Sequence, residues 1–158
     1  MTKLQIRIHS PLGALYLVAS AKGLSAICWE RQAVPAPTAA SGQVQQHLIQ
    51  AERELSEYFS GVRQNFTVAL DLEGTAFQKL VWGQLRKIPF GKTCSYQDVA
   101  RGIDNEKACR AVGSANGKNP VAIIIPCHRV IAQNGTLGGY AGGLKKKSTL
   151  LEIERRNT

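Results

Sequence analysis

RAVGSANGKNPVAIIIPCHRVI, residues 110–131, changes pattern twice, and those changes decide how the second half of the chain folds. Up to Gly117 the spacing is helical: Val112 and Ala115, with Ala108 just before them, face one way, while Arg110, Gly113, Ser114 and Gly117 share the other side. A glycine costs a helix about 1 kcal/mol relative to alanine. Two of them on one face therefore point to close approach of another backbone, or to tight packing within the protein. After Asn119 and Pro120, the apolar run at 121–125 reads as a short buried strand that delivers Pro126, Cys127, His128 and Arg129 at its end.

On the C-terminal side, QNGTLGGYAGG (133–143) is a loop by composition, and LKKKSTLLEIERR (144–156) is a helix with Leu144 and Leu151 inward and its lysines outward. On the N-terminal side, Thr75 caps a helix whose Phe77, Leu80, Val81 and Leu85 share a face, and Pro89 and Gly91 stop it. Ser95 with Asp98 three residues on forms a capping box for YQDVARGI, and Asp104 or Asn105 caps EKACRAVGSANG. Two short helices joined across Gly102 suggest a helix-turn-helix.

Before residue 74 the pattern is different. IRIHS, ALYLVAS and LSAICWE, separated by turns at Pro11 to Gly13 and at Lys22 and Gly23, read as an antiparallel meander. A linker, VPAPTAASG (34–42), leads to a helix carrying Val44, Leu48, Ala51, Leu55 and Phe59 at helical spacing, and NFTVALDL (65–72) closes this part as a strand. The expected domains are therefore 1–73 and 74–158.

No run of about 18 uncharged apolar residues is present, and MTKLQIRIHS lacks the apolar core of a signal peptide, so a cytoplasmic protein is expected. The charge is unevenly divided: residues 1–73 hold six Lys/Arg and six Asp/Glu, residues 74–158 fourteen and five, so the whole net charge of +9 lies in the second part. A basic half fits either a polyanion partner or a solvated surface.

The four cysteines, at 28, 94, 109 and 127, show no C-x(2–4)-C pairing, which excludes a disulfide framework and a zinc ribbon. Cys28 in an apolar strand and Cys109 on a helix read as small hydrophobes, and Cys94 falls in a loop with no histidine beside it. His9 and His47 lack ligand spacing. Cys127 differs because His128 follows it. An ordinary thiol is only a few per cent ionised at neutral pH and needs a base or a positive environment to act as a nucleophile. Adjacent residues on a strand point to opposite faces, so the pair cooperates only if the chain turns at 126–128 or a water bridges them. Arg129 adds charge nearby, and Glu152 and Glu154 are both candidates to fix the imidazole tautomer.

With PCHR at its centre, the chain resembles the O6-alkylguanine-DNA alkyltransferase family. The likeness rests on SPLG (10–13), TAFQKLVW (75–82), IPFGKTCSYQDVA (88–100), RAVGSANGKNPVAIIIPCHRVI (110–131) and GGYAGGLKKK (138–147), in the family's order. The resemblance implies a ribonuclease H-like α/β domain followed by a mainly helical, winged-helix-like domain with a helix-turn-helix, the second binding DNA and carrying the reaction. It implies direct-reversal DNA repair: Cys127 displaces the alkyl group from O6-alkylguanine, or O4-alkylthymine, in double-stranded DNA, and the protein is consumed.

On the same footing, His128 takes the thiol proton through a water, Glu154 orients His128, and Tyr96 gives a proton to the leaving guanine. Arg110 fills the stack after base flipping, with Ser95, Ala111, Gly113, Ser114 and Gly117 on DNA. Asn119 holds the turn before the active strand, and Pro120, Val130, Tyr140, Ala141, Gly142, Gly143 and Lys147 shape the lesion pocket. The physics agrees: a stacked lesion carbon is out of reach, extrusion costs a few kcal/mol, and phosphate contacts supply affinity without sequence preference. A monomer able to bind cooperatively along DNA is expected, with no membrane partner. Sulfur is the acceptor, so neither metal nor nucleotide cofactor is needed, and no G-x-G-x-x-G occurs.

Three departures stand out. AGG at 141–143 replaces the SGG of many relatives, so Ala141 cannot donate from its side chain and nearby backbone amides must serve the guanine oxygen. Ser20 and Ser25 stand where some relatives have ligands of a structural zinc. No zinc-binding regulatory domain precedes the chain, so no transcriptional role is expected. The competing readings are a Cys-His hydrolase, which would turn over, and a helix-turn-helix lesion binder without chemistry.

Overall fold

Alternating apolar residues at the N-terminus build an antiparallel meander of β1 (Leu4–Ser10), β2 (Gly13–Ser20) and β3 (Gly23–Cys28), in the order β1-β2-β3. These elements come from a computed structural model, which describes residues 2–34 and 42–158; nearly all of the expected linker lies outside the described residues. Two compact units result, Met1–Glu73 and Gly74–Thr158.

In the first unit, Leu15, Leu17 and Ala19 fall on one face of β2 and are fully buried, as a period of two requires. Helix α1 (Gly42–Phe59) lays Val44, Leu48, Ala51, Leu55 and Tyr58 into the core, with Tyr58 rather than Phe59 in the last buried place. The closing strand expected at 65–72 does not form. Leu24 exchanges hydrogen bonds with Ala69 and Asp71 (2.8 Å each), a single bridge. Just before this bridge, Glu54, buried on α1, accepts from the amides of Thr67 (2.9 Å) and Val68 (3.1 Å) and ties the segment to the helix. Ser20 and Ser25 serve the sheet: Ser20 Oγ donates to Asp71 Oδ2 (2.6 Å) and Ser25 Oγ to Val18 O (3.2 Å).

In the second unit, α2 (Ala76–Leu85) starts at a complete capping box of Thr75 and Gln78 and buries Val81, Trp82 and Leu85. Leu80, expected on that face, is exposed. Trp82 takes the inward place because its indole N–H finds Ala115 O at 2.8 Å. The expected capping box, Ser95 with Asp98, caps α3 (Tyr96–Gly102).

Asp104 and Asn105 cap nothing downstream. They close α3 instead, with Asp104 in the left-handed region (φ 56°) and the amides of Asp104 and Asn105 returning to Arg101 O (3.0 Å) and Ala100 O (2.9 Å), a Schellman arrangement. Helix α4 thus begins late, at Cys109–Gly117, with Ala108 as a cap lacking a side-chain bond, and packs against α2 and α3.

The run at 121–125 is buried as expected but is a turn, not a strand. Ile123 sits at φ 76°, and Ile125 N–H returns to Val121 O (3.0 Å). Asn119 replaces a strand partner: its Oδ1 accepts from Val121 N–H (2.9 Å) and its Nδ2 donates to Ile125 O (2.7 Å). A short parallel pair, β4 (Cys94–Ser95) with β5 (Val130–Ile131), then sets the start of α3 beside residues 127–131, so Cys94 lies in a strand rather than a loop. The last helix, α5 (Leu144–Arg156), buries Leu150, Ile153, Glu154 and Lys147; Leu144 is half exposed. No described helix is long and apolar enough to cross a membrane.

Candidate active site

Cys127 opens a 3-10 turn, Cys127–Arg129, and its amide bonds Ile125 O at 2.8 Å. Three residues per turn remove the alternation of a strand, so Cys127 and His128 need not face opposite ways. Cys127 is 5% exposed. Burial pushes its thiol pKa up, against the Asn119 side chain, the Lys147 charge, its own amide and the Tyr140 hydroxyl, all of which favour the thiolate. The resting group is therefore a thiol, and its nucleophilic use needs a proton acceptor.

His128 is fully buried, with Nε2 2.6 Å from Glu154 Oε2. Among the described residues its Nδ1 has no partner. With the proton on Nε2, shared with the carboxylate, Nδ1 holds the basic lone pair. Burial pulls the His128 pKa down; Glu154 opposes this, and Arg129 and Lys147 add to it. Glu154 is held at about 2: burial alone would raise it, but hydrogen bonds and charge from His128 and Arg129 outweigh burial. The choice between two glutamates is thus resolved by geometry, since Glu152 is solvent-facing and paired with Arg155.

Lys147, grouped by composition among outward lysines, is buried because three carbonyls converge on it: Val130 O (2.6 Å), Gly139 O (3.0 Å) and Leu137 O. It thereby fastens the 130–139 loop to α5. Tyr96, the first residue of α3, lies half-buried beside this loop; burial raises its pKa, the Gly139 backbone lowers it, and Cys127 raises it. Gly138 (φ 71°) leaves room there, since a β-carbon would stand 3.2 Å from the Tyr96 oxygen. Burial first, then the nearby Cys127, raises the Tyr140 pKa. Cys127, His128, Glu154, Asn119, Lys147, Tyr96 and Tyr140 therefore form one cluster.

The remaining expected residues lie around it. Arg110, Ala111, Ser114 and Gly117 are exposed on α4, and Gly117 has open space where a β-carbon would be. Gly113, expected on the same face, is half-buried, and a β-carbon there would stand 3.9 Å from the Tyr96 ring. The Ser95 hydroxyl is engaged as the α3 cap, accepting from Asp98 N–H at 3.0 Å. Val130 is buried in β5 and Pro120 half-buried. Ala141 and Gly143 are exposed and Gly142 half-buried; the Gly143 amide is committed to Tyr140 O at 3.0 Å.

Cys94 has its thiol pKa pushed up to about 11 by burial and Asp98, which marks it as unreactive. Among the described residues no cluster of three His, Cys, Asp or Glu could hold a metal. Sequence reasoning missed the fork from Arg129 to Glu154, with Nε at 2.8 Å and Nη2 at 3.0 Å. The signal was faint: an arginine beside the histidine and a glutamate on an inward helix face 25 residues on.

Two family models match. The 6-O-methylguanine DNA methyltransferase DNA-binding domain covers residues 76–156, and the ribonuclease-like domain of the same family covers 5–72. A methylated-DNA–protein-cysteine methyltransferase of Methanosarcina acetivorans is 44% identical over 148 residues, 92% of this chain and 94% of that protein. Among solved structures, the Mycobacterium tuberculosis O6-methylguanine methyltransferase aligns with a TM-score of 0.85 at 40% identity, over 99% of this chain and 95% of that one. A crystal structure of Mycobacterium tuberculosis OGT in complex with DNA aligns at 0.84 and 42% identity, over 96% and 92%.

Proposed function

The chain belongs to the 6-O-methylguanine DNA methyltransferase family, and from that premise we propose that it repairs O6-alkylguanine in duplex DNA by transferring the alkyl group once, irreversibly, to Cys127. The observation that carries this reading is a buried thiol on a rigid turn, followed by a histidine whose Nε2 is fixed on Glu154 at 2.6 Å and whose Nδ1 is left to accept a proton. His128 takes the thiol proton through a bridging water. The sulfur attacks the alkyl carbon in line, the S–C bond forming as the C–O6 bond breaks, and the guanine oxygen leaves with the bonding pair. Tyr96, kept protonated by burial, supplies a proton to the departing base.

The lesion reaches this cluster only as an extrahelical base. We assign α3 and α4 as the helix-turn-helix, with Arg110 entering the vacated stack and Ser95, Ala111, Gly113, Ser114 and Gly117 against the DNA. Pro120, Val130, Tyr140, Ala141, Gly142, Gly143 and Lys147 line the lesion pocket. Since the Gly143 amide is spent inside its own turn, the amides of Ala141 and Gly142 are the donors assigned to the guanine oxygen. O4-alkylthymine fits the same chemistry. The protein acts as a monomer in the cytoplasm.

The test is intact-protein mass after incubation with excess duplex carrying one O6-methylguanine, with Cys127→Ser as control. One added methyl per protein, in the wild type alone, is expected. Tight binding with no mass gain would leave a lesion binder, and catalytic turnover would leave a hydrolase.

A further inference from the structure

Glu154 does not serve His128 alone. Arg129 meets it with a two-pronged fork, Nε on Oε1 at 2.8 Å and Nη2 on Oε2 at 3.0 Å, and the second oxygen is the one that holds His128 Nε2. The third arm of the guanidinium, Nη1, donates to Ile88 O at 2.7 Å, and its carbon lies 5.7 Å from the centre of the Phe90 ring. Gly91, in the left-handed region at φ 76°, adds its amide to Glu154 Oε1 at 3.2 Å. Arg129, His128 and Glu154 are all sealed from solvent.

We propose that Arg129 is a positioning residue that holds Glu154 in the plane of the His128 ring and keeps His128 neutral in the resting protein, so that Nδ1 is available to the Cys127 proton. This rests on the reading of Cys127 as alkyl acceptor. The reason is charge balance. With Arg129 present, the buried Arg–Glu–His set is neutral when His128 is neutral. With Arg129 gone, a lone buried carboxylate would face the imidazole, and a buried negative charge is relieved by taking up a proton. That proton would settle on the His128–Glu154 pair and occupy the base before the thiol could use it. The other charged or titratable groups near the pair are Lys147 from α5, held by three carbonyls, and Cys127 itself, with Tyr96 and Tyr140 around the thiol. Lys147 also disfavours imidazolium, but its ammonium donors are taken by three carbonyls, so it is not placed to fix the carboxylate plane. A lysine in place of Arg129 could supply charge but not the fork.

The experiment uses the full chain and reads two things: the ¹⁵N signature of His128 between pH 5.5 and 9, and the pH profile of single-turnover methyl transfer from duplex DNA. In the wild type, His128 is expected to remain neutral with its proton on Nε2 at pH 7. In Arg129→Met it is expected to be imidazolium at pH 7, with the acid limb of the rate profile moved up by at least about one pH unit, which is a tenfold loss at a fixed pH on that limb. Arg129→Met combined with Glu154→Gln removes both charges and should return His128 to the neutral form, recovering rate over Arg129→Met alone; a purely structural arginine predicts that the double variant is worse.

Imidazolium at pH 7 in the wild type overturns the proposal without any variant, which keeps it testable even if Arg129→Met fails to fold. An unchanged signature and profile in a folded Arg129→Met also overturns it. Absence of methyl gain at Cys127 in the wild type would instead remove the underlying reading, and the His128 signature would still judge the role of Arg129.

Discussion

At the scale of residues, the site is a matter of where buried protons sit. Glu154 has the largest consequence for stability: its pKa falls from an ordinary 4.5 to about 2 because His128 and Arg129 bind the ionised form, against the burial that opposes it. A carboxylate with a depressed folded pKa stabilises the protein fully above its unfolded pKa, and that stability is lost as pH falls through the folded value. Its share is therefore present above about pH 4.5 and disappears toward pH 2. Glu154→Gln should cost about 3–5 kcal/mol at pH 7, because it leaves the Arg129 charge buried without a counter-charge. Denaturant melts should show the gap between wild type and variant narrowing as pH falls from about 4.5 toward 2, and a gap independent of pH would contradict the assigned cause. Cys127 and His128 were legible from their adjacency and from the chemistry a thiol needs. The choice of Glu154 over Glu152 was not, since two residues apart on a helix they differ only in which face they occupy, and Arg129, which marks that face, has no signature of its own.

At the scale of elements, what could be read was whatever rests on local bonds, and what was missed rests on distant ones. The Thr75 N-cap and the Ser95–Asp98 capping box are satisfied within three residues and were plain in the sequence. The run at 121–125 looked like a strand because isoleucine and valine favour one, and a β-branched residue is the last expected at positive φ, yet Asn119 brackets the turn from outside and imposes that conformation on Ile123. Residues 65–72 likewise depend on a distant group, since the Thr67 and Val68 amides go to Glu54 on α1 and only one bridge to β3 forms. That unit also hangs on one close approach. A β-carbon on Gly23 would stand 2.5 Å from Ala69 O and 2.7 Å from Ala69 C, backbone atoms that cannot move without breaking the bridge at Leu24. Gly13 has a comparable backbone demand, φ 98°, but open space around it. Gly23→Ala should therefore lower stability by more than Gly13→Ala, whose cost is the φ penalty alone, about 1–2 kcal/mol. Thermal or denaturant melts of the two variants side by side decide it, and equal losses would mean that the 69–71 segment yields freely.

At the scale of the whole molecule, charge is the property that neither a residue nor an element carries. Residues 1–73 are balanced and residues 74–158 hold the entire excess of +9, in the same stretch that holds Cys127 and α4. This division was legible at once, because counting needs no geometry, although by itself it could not separate a DNA-binding surface from a solvated one. Release of condensed counterions separates them. If the basic unit neutralises phosphates, log affinity for undamaged duplex falls linearly with log salt, and six to ten phosphate contacts would weaken binding by about 10³–10⁵ between 50 and 200 mM. Alkyl transfer from free O6-benzylguanine, which carries no phosphate, would use the same proposed thiol, histidine and glutamate and should hold nearly constant over that range. A steep slope for duplex binding beside a flat rate for the free base would place the salt effect in phosphate contacts. Parallel losses would place it in the cluster around Cys127, for example in the Lys147 and Arg129 charges, and the basic surface would then have no assigned partner.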